Sequence, residues 1–470
     1  MLPASLIRIS RAAAAILPAG LAAALSAFSP QSPLPVEAYA PAAESIRAEG
    51  LKSEGAIAIL SRLLARAPHR LAGSPGYEEA ARACLDEMRS FGLRTWTEPA
   101  PVERWTRGGT AEAVLSRPGS SGRMVLRIAA LGLSVPTPAG GLEAPLVEVR
   151  SFEELEALGD RVRGTIVFFS HPMSRVPMET FAAYGEAAAY RTRGASEASR
   201  RGAVAVLVRS VTARLDGAPH GGMVGYDPAW PKIPAAAVAT LDAEALSARL
   251  AESSGWRLRL RLDCRNDPPA EAPIVVGQWD GTDRSEEVVI LGAHLDAWDL
   301  GQGAHDDGAG CAQAIEAVRL LKALGLHPKR SLRIVLYPNE EYGASAGRVY
   351  AASPRRQGER ILAAMESDRG GLLPIGFGLG TGPAFEKLKG WEPLLRPSGI
   401  QWVGPGGGGS DVGPLAERGT VVMGFIPDSQ RYFDYHHSAN DVLAAVHPRE
   451  IELGAVVEAI MAYVLAQEGI

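Results

Sequence analysis

The segment Val289–Ala312, "VILGAHLDAWDLGQGAHDDGAGCA", decides how this chain is read. It opens as an apolar strand. Within a few residues it presents His294, Asp296, Asp299, His305, Asp306 and Asp307, spaced by glycines. Ionisable groups are costly to bury unless something compensates them. A cluster of this kind at the end of a core strand therefore implies that it binds something.

Outward from that segment, the chain after about Pro268 alternates strand, loop and helix. "EEVVILGAHLD", "RSLRIVLYPNEE", "ILAAMESD" and "GTVVMGFIPD" read as strands. "CAQAIEAVRLLKALG", "SAGRVYAAS" and "REIELGAVVEAIMAYVLAQ" read as helices. This alternation predicts an α/β fold with a mostly parallel sheet covered by helices on both faces. In such sheets ligands bind beyond the carboxyl ends of the strands. The other strand ends should then carry ligand-type residues, and they do. The second strand ends in Glu340 and Glu341, the third in Asp368, and the segment after the last, "YHHSAND", holds His436, His437 and Asp441. One such residue alone would be a surface or capping residue; four strand ends together are not explained that way.

Histidine and carboxylate ligands without a thiolate suit Zn²⁺, with Mn²⁺ or Co²⁺ as substitutes. Five candidate ligands from these strand ends and the Asp306–Asp307 turn exceed what one catalytic zinc takes from protein. Two ions sharing a carboxylate fit better. Adjacent residues of an extended stretch point to opposite sides. One of Glu340 and Glu341 can thus bind metal while the other keeps a free carboxylate for proton transfer.

"GAHLDAWDLGQGAHDDGAG", "NEEYG", "ESD" and "HHS" resemble the co-catalytic zinc aminopeptidase/glutamate carboxypeptidase family, and the resemblance extends over nearly the whole chain after the leader, including "GSPGYEEAAR". It implies a zinc-exopeptidase-like (phosphorylase/hydrolase-like) sheet with an inserted protease-associated-type α+β domain. It implies that Asp306 bridges two Zn²⁺ ions, that His294 and Asp368 complete one site, and that Glu341 and His437 complete the other. Glu340 becomes the general base that takes a proton from metal-activated water. The resemblance further implies that Asp296 holds the far nitrogen of His294 and that the Asp306–Asp307 peptide, as often in the family, is cis. The His-Ser order selects His437, with an exchange for His436 left open. His305 is read as an outer or solvent-facing residue, and Asp441 as an outer support. Ser410 and Asp411 of the glycine-rich "GPGGGGSD" are candidates, with His436, for contacting substrate; the competing reading of that stretch is a turn with a helix cap. Trp298 is open between pocket wall and core, and His69, His171, His220, His327 and His447 are read as structural.

The rest of the chain is read for organisation. Residues 1–40 form a signal peptide and Pro/Ala-rich spacer, because Arg8 and Arg11 precede the short apolar run Ala12–Phe28. An uncleaved anchor is the competing reading. Residues 41–107 begin the peptidase domain, with Glu44–Ala67 read as helical. Residues 108–266 carry short β-like runs and few clustered catalytic groups, and form the inserted domain. Residues 267–470 complete the peptidase domain. The chain has 470 residues, 46% hydrophobic, with a net charge of −5. That size supports two domains, and that charge argues against nucleic acid as a partner. Cys84, Cys264 and Cys311 allow at most one disulfide.

The reading is a secreted or periplasmic metallo-exopeptidase acting on dipeptides or short peptides, with no membrane contact once the leader is removed. The resemblance also allows a homodimer. Two alternatives are a single-zinc, glutaminyl-cyclase-like enzyme and a non-catalytic receptor or scaffold of the same fold. The filled ligand positions weigh against both.

Overall fold

The computed structural model describes residues 35–119 and 122–470. The signal sequence expected within residues 1–34 lies outside the described residues. Two eight-stranded sheets organise the described residues. The strand order in the first is Arg94–Thr106, Arg265–Trp279, Arg330–Tyr337, Arg284–His294, Arg360–Glu366, Val421–Pro427, Pro374–Leu379 and Trp402–Pro405. Arg284–His294 is parallel to both its neighbours, and Arg360–Glu366 is parallel to Val421–Pro427. The strands from Arg94 to Trp279 pair antiparallel, as does Pro374–Leu379 with Val421–Pro427. The α/β expectation therefore holds, with a parallel centre, antiparallel pairing on either side of it and a parallel edge pair, Pro374–Leu379 with Trp402–Pro405.

The central strands are apolar runs because helices cover both faces. Alternate residues of a strand face opposite sides. Val288 and Ile290 pack with Ala346 and Tyr350 of helix Ser345–Ala352. Helices Ala309–Ala323 and Pro448–Glu468 also contact the strand Arg284–His294. Ser74 starts helix Pro75–Ser90: its Oγ accepts the Tyr77 N–H at 3.1 Å, and proline occupies the first turn, where no N–H is needed.

The second sheet has the order Arg123–Leu126, Ala111–Ser116, Arg257–Leu262, Leu142–Val149, Ile166–Phe169, Ala205–Arg209, Ala235–Val238 and Ile128–Ala130. Val167, Phe169, Val206 and Val208 form its core with Ala195 and Ala198 of helix Thr180–Ser199. The chain enters and leaves this sheet along one antiparallel pair that runs from Arg94 opposite Gln278 to Thr106 opposite Arg265. Helix Thr180–Ser199 uses Ala183, Ala187 and Ala188 to pack against Leu372, Tyr432 and Phe433, which lie beside the first sheet. That apolar seam fixes the helix beside the strand ends of the first sheet.

Two local expectations change. The segment read as spacer is already helical from Val36, in a helix that runs to Ser53 despite Pro41. Packing overrides propensity here: Ala43, Ile46 and Gly50 are buried, and a Cβ on Gly50 would lie 2.4 Å from Val456. The single helix expected over Glu44–Ala67 breaks at Glu54, where φ is 50°. The next helix starts at Gly55, whose missing side chain leaves room for the Glu316 carboxylate. All three cysteines are buried and free. Among the described residues no helix is long and apolar enough to cross a membrane.

Candidate metal centre and its cavity

The strand Arg284–His294 delivers His294 at its end. The loop beyond it is tied from behind by Arg70, whose guanidinium donates to the carbonyls of Leu295 at 2.7 Å, Gln302 at 2.5 Å and Gly303 at 2.7 Å. Asp441 then receives the N–H groups of His305 at 2.6 Å and Asp306 at 3.1 Å, which orients the Asp306 backbone. Asp307 accepts the His294 N–H and the Gly310 N–H, each at 3.1 Å. The Asp306–Asp307 peptide is cis. A fully buried carboxylate next to the site, Glu366, accepts N–H groups from Ser410, Asp411 and Val412 at 2.7–2.9 Å and so shapes the glycine-rich loop.

These supports gather the expected donors. His294 Nε2 lies 3.2 Å from Asp306 Oδ1 and 3.3 Å from Asp368 Oδ1. On the other side of Asp306, His437 Nε2 lies 3.2 Å from Oδ2 and 2.9 Å from Glu341 Oε2. His436 Nε2 stands farther from that oxygen, at 3.7 Å. Two groups, His294/Asp306/Asp368 and Asp306/His436/His437, each bring one donor atom per residue to within 4.8 Å of the others. The donor chemistry fits hard or borderline cations. Asp306 Oδ2 and Glu341 Oε1 are buried without a hydrogen bond, although His437 Nε2 is close to the former. Donor atoms that approach one another without a hydrogen bond between them suit ligands of a common ion.

The charges say the same. Burial lifts Glu340 to about 8, with Asp368 adding to the shift. Burial lifts Glu341 to about 7, against the pull of His437. Glu366 is raised to about 8, by burial and then by Asp368. Burial would lower His437, yet Glu341 and Asp306 drive it up to about 10. His294 is likewise driven up, against burial, by Asp368, Asp296 and Asp306. Burial would raise Asp306, but His294 and His437 hold it well below the usual carboxylate range. The cluster carries an excess of buried negative charge that calls for protons or cations.

Other expected residues fall as follows. Asp296 is buried, and its main-chain oxygen, 3.0 Å away, is the partner of His294 Nδ1. Its carboxylate stands 3.7 Å from that nitrogen and takes the Glu340 N–H at 3.2 Å. The carboxylate thus supports the Glu340 backbone, and the carbonyl takes over the role expected of it. His305 is buried, stacks on Tyr435 at 4.8 Å and bonds Ala445 O through Nε2, so it does not face solvent. Trp298 is buried edge-on to His437, and Asp299 pairs with Arg107. Ser410 lines the cavity; Asp411 turns inward, and both its carboxylate oxygens are buried without partners.

The cavity, about 330 Å³, holds Glu340, Glu341, Asp306, Asp368, His436 and His437 on one wall. Phe181, Tyr184, Arg191 and Met223 of the second sheet's side also line it, with the Tyr184 ring 4.9 Å from that of His436. Arg191 is 6% exposed; it donates to Tyr184 Oη at 2.6 Å and Gly221 O at 3.3 Å, while its Nε has no partner. Sequence reading missed Arg191. Its helix, "TFAAYGEAAAYRTRGASEAS", carries three arginine and glutamate neighbours of the kind a solvated face shows, and only the apolar seam turns it inward.

The sequence profile of peptidase family M28 matches residues 275–464. Carboxypeptidase Q of Bos taurus is 34% identical over 399 residues, covering 84% of this chain and 82% of that protein. A crystal structure of a peptidase M28 precursor from Shewanella amazonensis superposes with a TM-score of 0.87 at 31% identity, covering 93% of this chain and 98% of that one. A zinc aminopeptidase from Bacillus subtilis shares the fold, with a TM-score of 0.62 at 19% identity, covering 88% of this chain and 95% of that one.

Proposed function

This chain belongs to peptidase family M28 and is a metallo-exopeptidase, and from that premise we propose that it holds two zinc ions and hydrolyses dipeptides or short peptides. One observation carries the reading: Asp306 places one oxygen 3.2 Å from His294 Nε2 and the other 3.2 Å from His437 Nε2. It thereby joins two donor groups. His294 and Asp368 would complete one site, Glu341 and His437 the other. His437 is preferred to His436 because it alone of the two is also close to Glu341. Mn²⁺ or Co²⁺ would substitute.

When bound, the ions would supply Lewis acidity, polarising the scissile carbonyl and easing ionisation of the attacking water. The remaining work falls to side chains. Glu340 lines the cavity beside Glu341 and is left free of the ligand set. Its carboxylate takes the proton of the water and returns it to the leaving amine nitrogen. The bound cations would lower its affinity for a proton from the metal-free level, leaving it basic at neutral pH. The Arg191 guanidinium, which also lines the cavity, suits a substrate carboxylate, since charge-assisted hydrogen bonds of this type are strong and directional. A volume of about 330 Å³ accommodates a small ligand, which favours dipeptides over folded chains. Ser410 offers a further polar contact.

Residues 108–266 are read as the protease-associated-type domain flanking the cleft, with 41–107 and 267–470 forming the peptidase domain. The Arg8, Arg11 and Ala12–Phe28 pattern supports export to the periplasm or beyond. The test is turnover of a dipeptide panel with free, acetylated and amidated termini. Activity on free dipeptides that is lost on amidation supports the reading, and equal turnover of the amides contradicts the carboxylate role.

A further inference from the structure

His437 sits in the left-handed region, at φ 59°. A non-glycine residue holds that conformation only where its surroundings impose it. The turn's own bonds restrain its amides: His436 N–H donates to Tyr432 O at 3.0 Å, and Ser438 N–H to Tyr435 O at 3.1 Å. The carbonyls are held from elsewhere. His220 Nδ1 meets His436 O at 2.8 Å, and the Gly221 N–H donates to His437 O at 2.7 Å. Both partners belong to the second sheet's unit. Because a carbonyl only accepts, Nδ1 of His220 carries the proton.

The loop that makes these bonds is itself fixed. His220 is 1% exposed, and its N–H donates to Ser210 Oγ at 2.8 Å. Ser210 follows the strand Ala205–Arg209 and donates its own N–H to Val238 O at 2.9 Å. Arg191 braces Gly221 O from the other side at 3.3 Å. Gly222, at φ 100°, passes so close to the ligand ring that a Cβ there would lie 2.7 Å from His437 Nδ1.

We infer that the second sheet's loop His220–Gly222 positions the metal-binding turn His436–His437, with His220 as the positioning residue. The inference rests on the two-metal reading above. The second unit is then part of the metal centre as well as a wall of its cleft. Residues that orient metal ligands set metal affinity as the ligands themselves do, and their loss costs roughly 10–100-fold.

The test uses the full chain: wild type, His220→Ala and His220→Asn. Zinc affinities are measured by competition with a chromophoric chelator. The visible spectrum is recorded after cobalt substitution, and the metal-free melting temperature serves as a control for folding. His220→Ala should weaken one of two zinc ions by about 10–100-fold, leave the other unchanged and shift the cobalt spectrum. His220→Asn keeps an N–H near the position of Nδ1 and should recover most of the affinity. If His220→Ala does not fold, His220→Gln, which fills the space but displaces the donor, takes its place against His220→Asn with the same expected difference. Unchanged zinc affinities and cobalt spectrum in His220→Ala would overturn the inference, as would equal weakening of both ions without rescue by asparagine. A wild-type chain that binds fewer than two zinc ions would overturn the two-metal reading first, before any variant is compared, and this inference with it.

Discussion

The strand Arg284–His294 of the first sheet and the strand Ala205–Arg209 of the second are both internal, parallel to neighbours and buried where they cross their cores. Their continuations differ. The first runs into His294, Asp296 and, after a clamped loop, Asp306. The second runs into Ser210 and Thr212, whose hydroxyls are spent on backbone groups: Ser210 Oγ on Val238 O and the His220 N–H, Thr212 Oγ1 on the Arg214 N–H. Strand burial is therefore common ground, and the residues just past the carboxyl end decide whether a sheet supplies chemistry or support. The second sheet reaches the site by another route, through one face of helix Thr180–Ser199 and the His220–Gly222 loop.

Five measurements probe that division, from the largest effect down. Asp306→Asn should abolish both metal sites and lower kcat/KM by at least about 10⁴-fold, a modest share of typical enzymatic acceleration; retained activity would break the first sheet's claim to the chemistry. Glu340→Gln should keep the metals and lower kcat by about 10²–10⁴-fold, the range for a general base, with metal content assayed on the same sample. On the supporting side, Phe169→Ala removes a buried ring of the second core. It should cost about 3–5 kcal/mol of stability in urea unfolding while the folded fraction keeps its zinc. Arg191→Ala sharpens the comparison. It should raise KM for dipeptides with a free carboxylate by about 10–100-fold, from the strength of hydrogen bonds to charged groups, with little change in kcat.

The fifth measurement concerns a buried carboxylate whose hydrogen-bonding partner, Ser367, precedes Asp368. Burial pushes Glu458, in the terminal helix Pro448–Glu468, from 4.5 up to about 8. The folded chain keeps a proton that the unfolded chain releases within that window. Its contribution to stability is full below about pH 4.5 and is lost as pH rises through about 8. Glu458→Gln should flatten this decline, so denaturant unfolding at pH 5 and pH 9 should differ less in the variant than in wild type. An equal pH dependence in both would show that the group carries no linked proton.

The candidate ligand residues were legible because each contradicts its setting. A histidine or carboxylate directly after an apolar run departs from what buried strands normally carry, and four such departures at one sheet edge reinforce one another. The parallel centre was legible for the same reason. Other elements gave no such contradiction. Pro374–Leu379 and Trp402–Pro405 are strands, but "PIGFGL" and "WVGP" carry the glycine and proline of turns. The glycines serve close approach: a Cβ on Gly378 would lie 3.2 Å from Gly406 Cα. Arg191 and His220 were hidden because their roles arise from contacts between the two units, which no local pattern encodes. A lone histidine in a glycine-rich loop and an arginine in a charged helix are ordinary surface features until the fold brings them to the site. Asp296 shows a finer limit. Sequence placed it beside His294, but only the structure distinguishes its carbonyl from its carboxylate as the partner.

The central claim is that Asp306 joins two metal sites. Anomalous diffraction at the zinc edge, from crystals of the zinc-loaded chain, tests it most directly. The account predicts two peaks, one beside each Asp306 carboxylate oxygen, the first shared with His294 and Asp368 and the second with Glu341 and His437. A single peak, or two peaks of which only one touches Asp306, would contradict it.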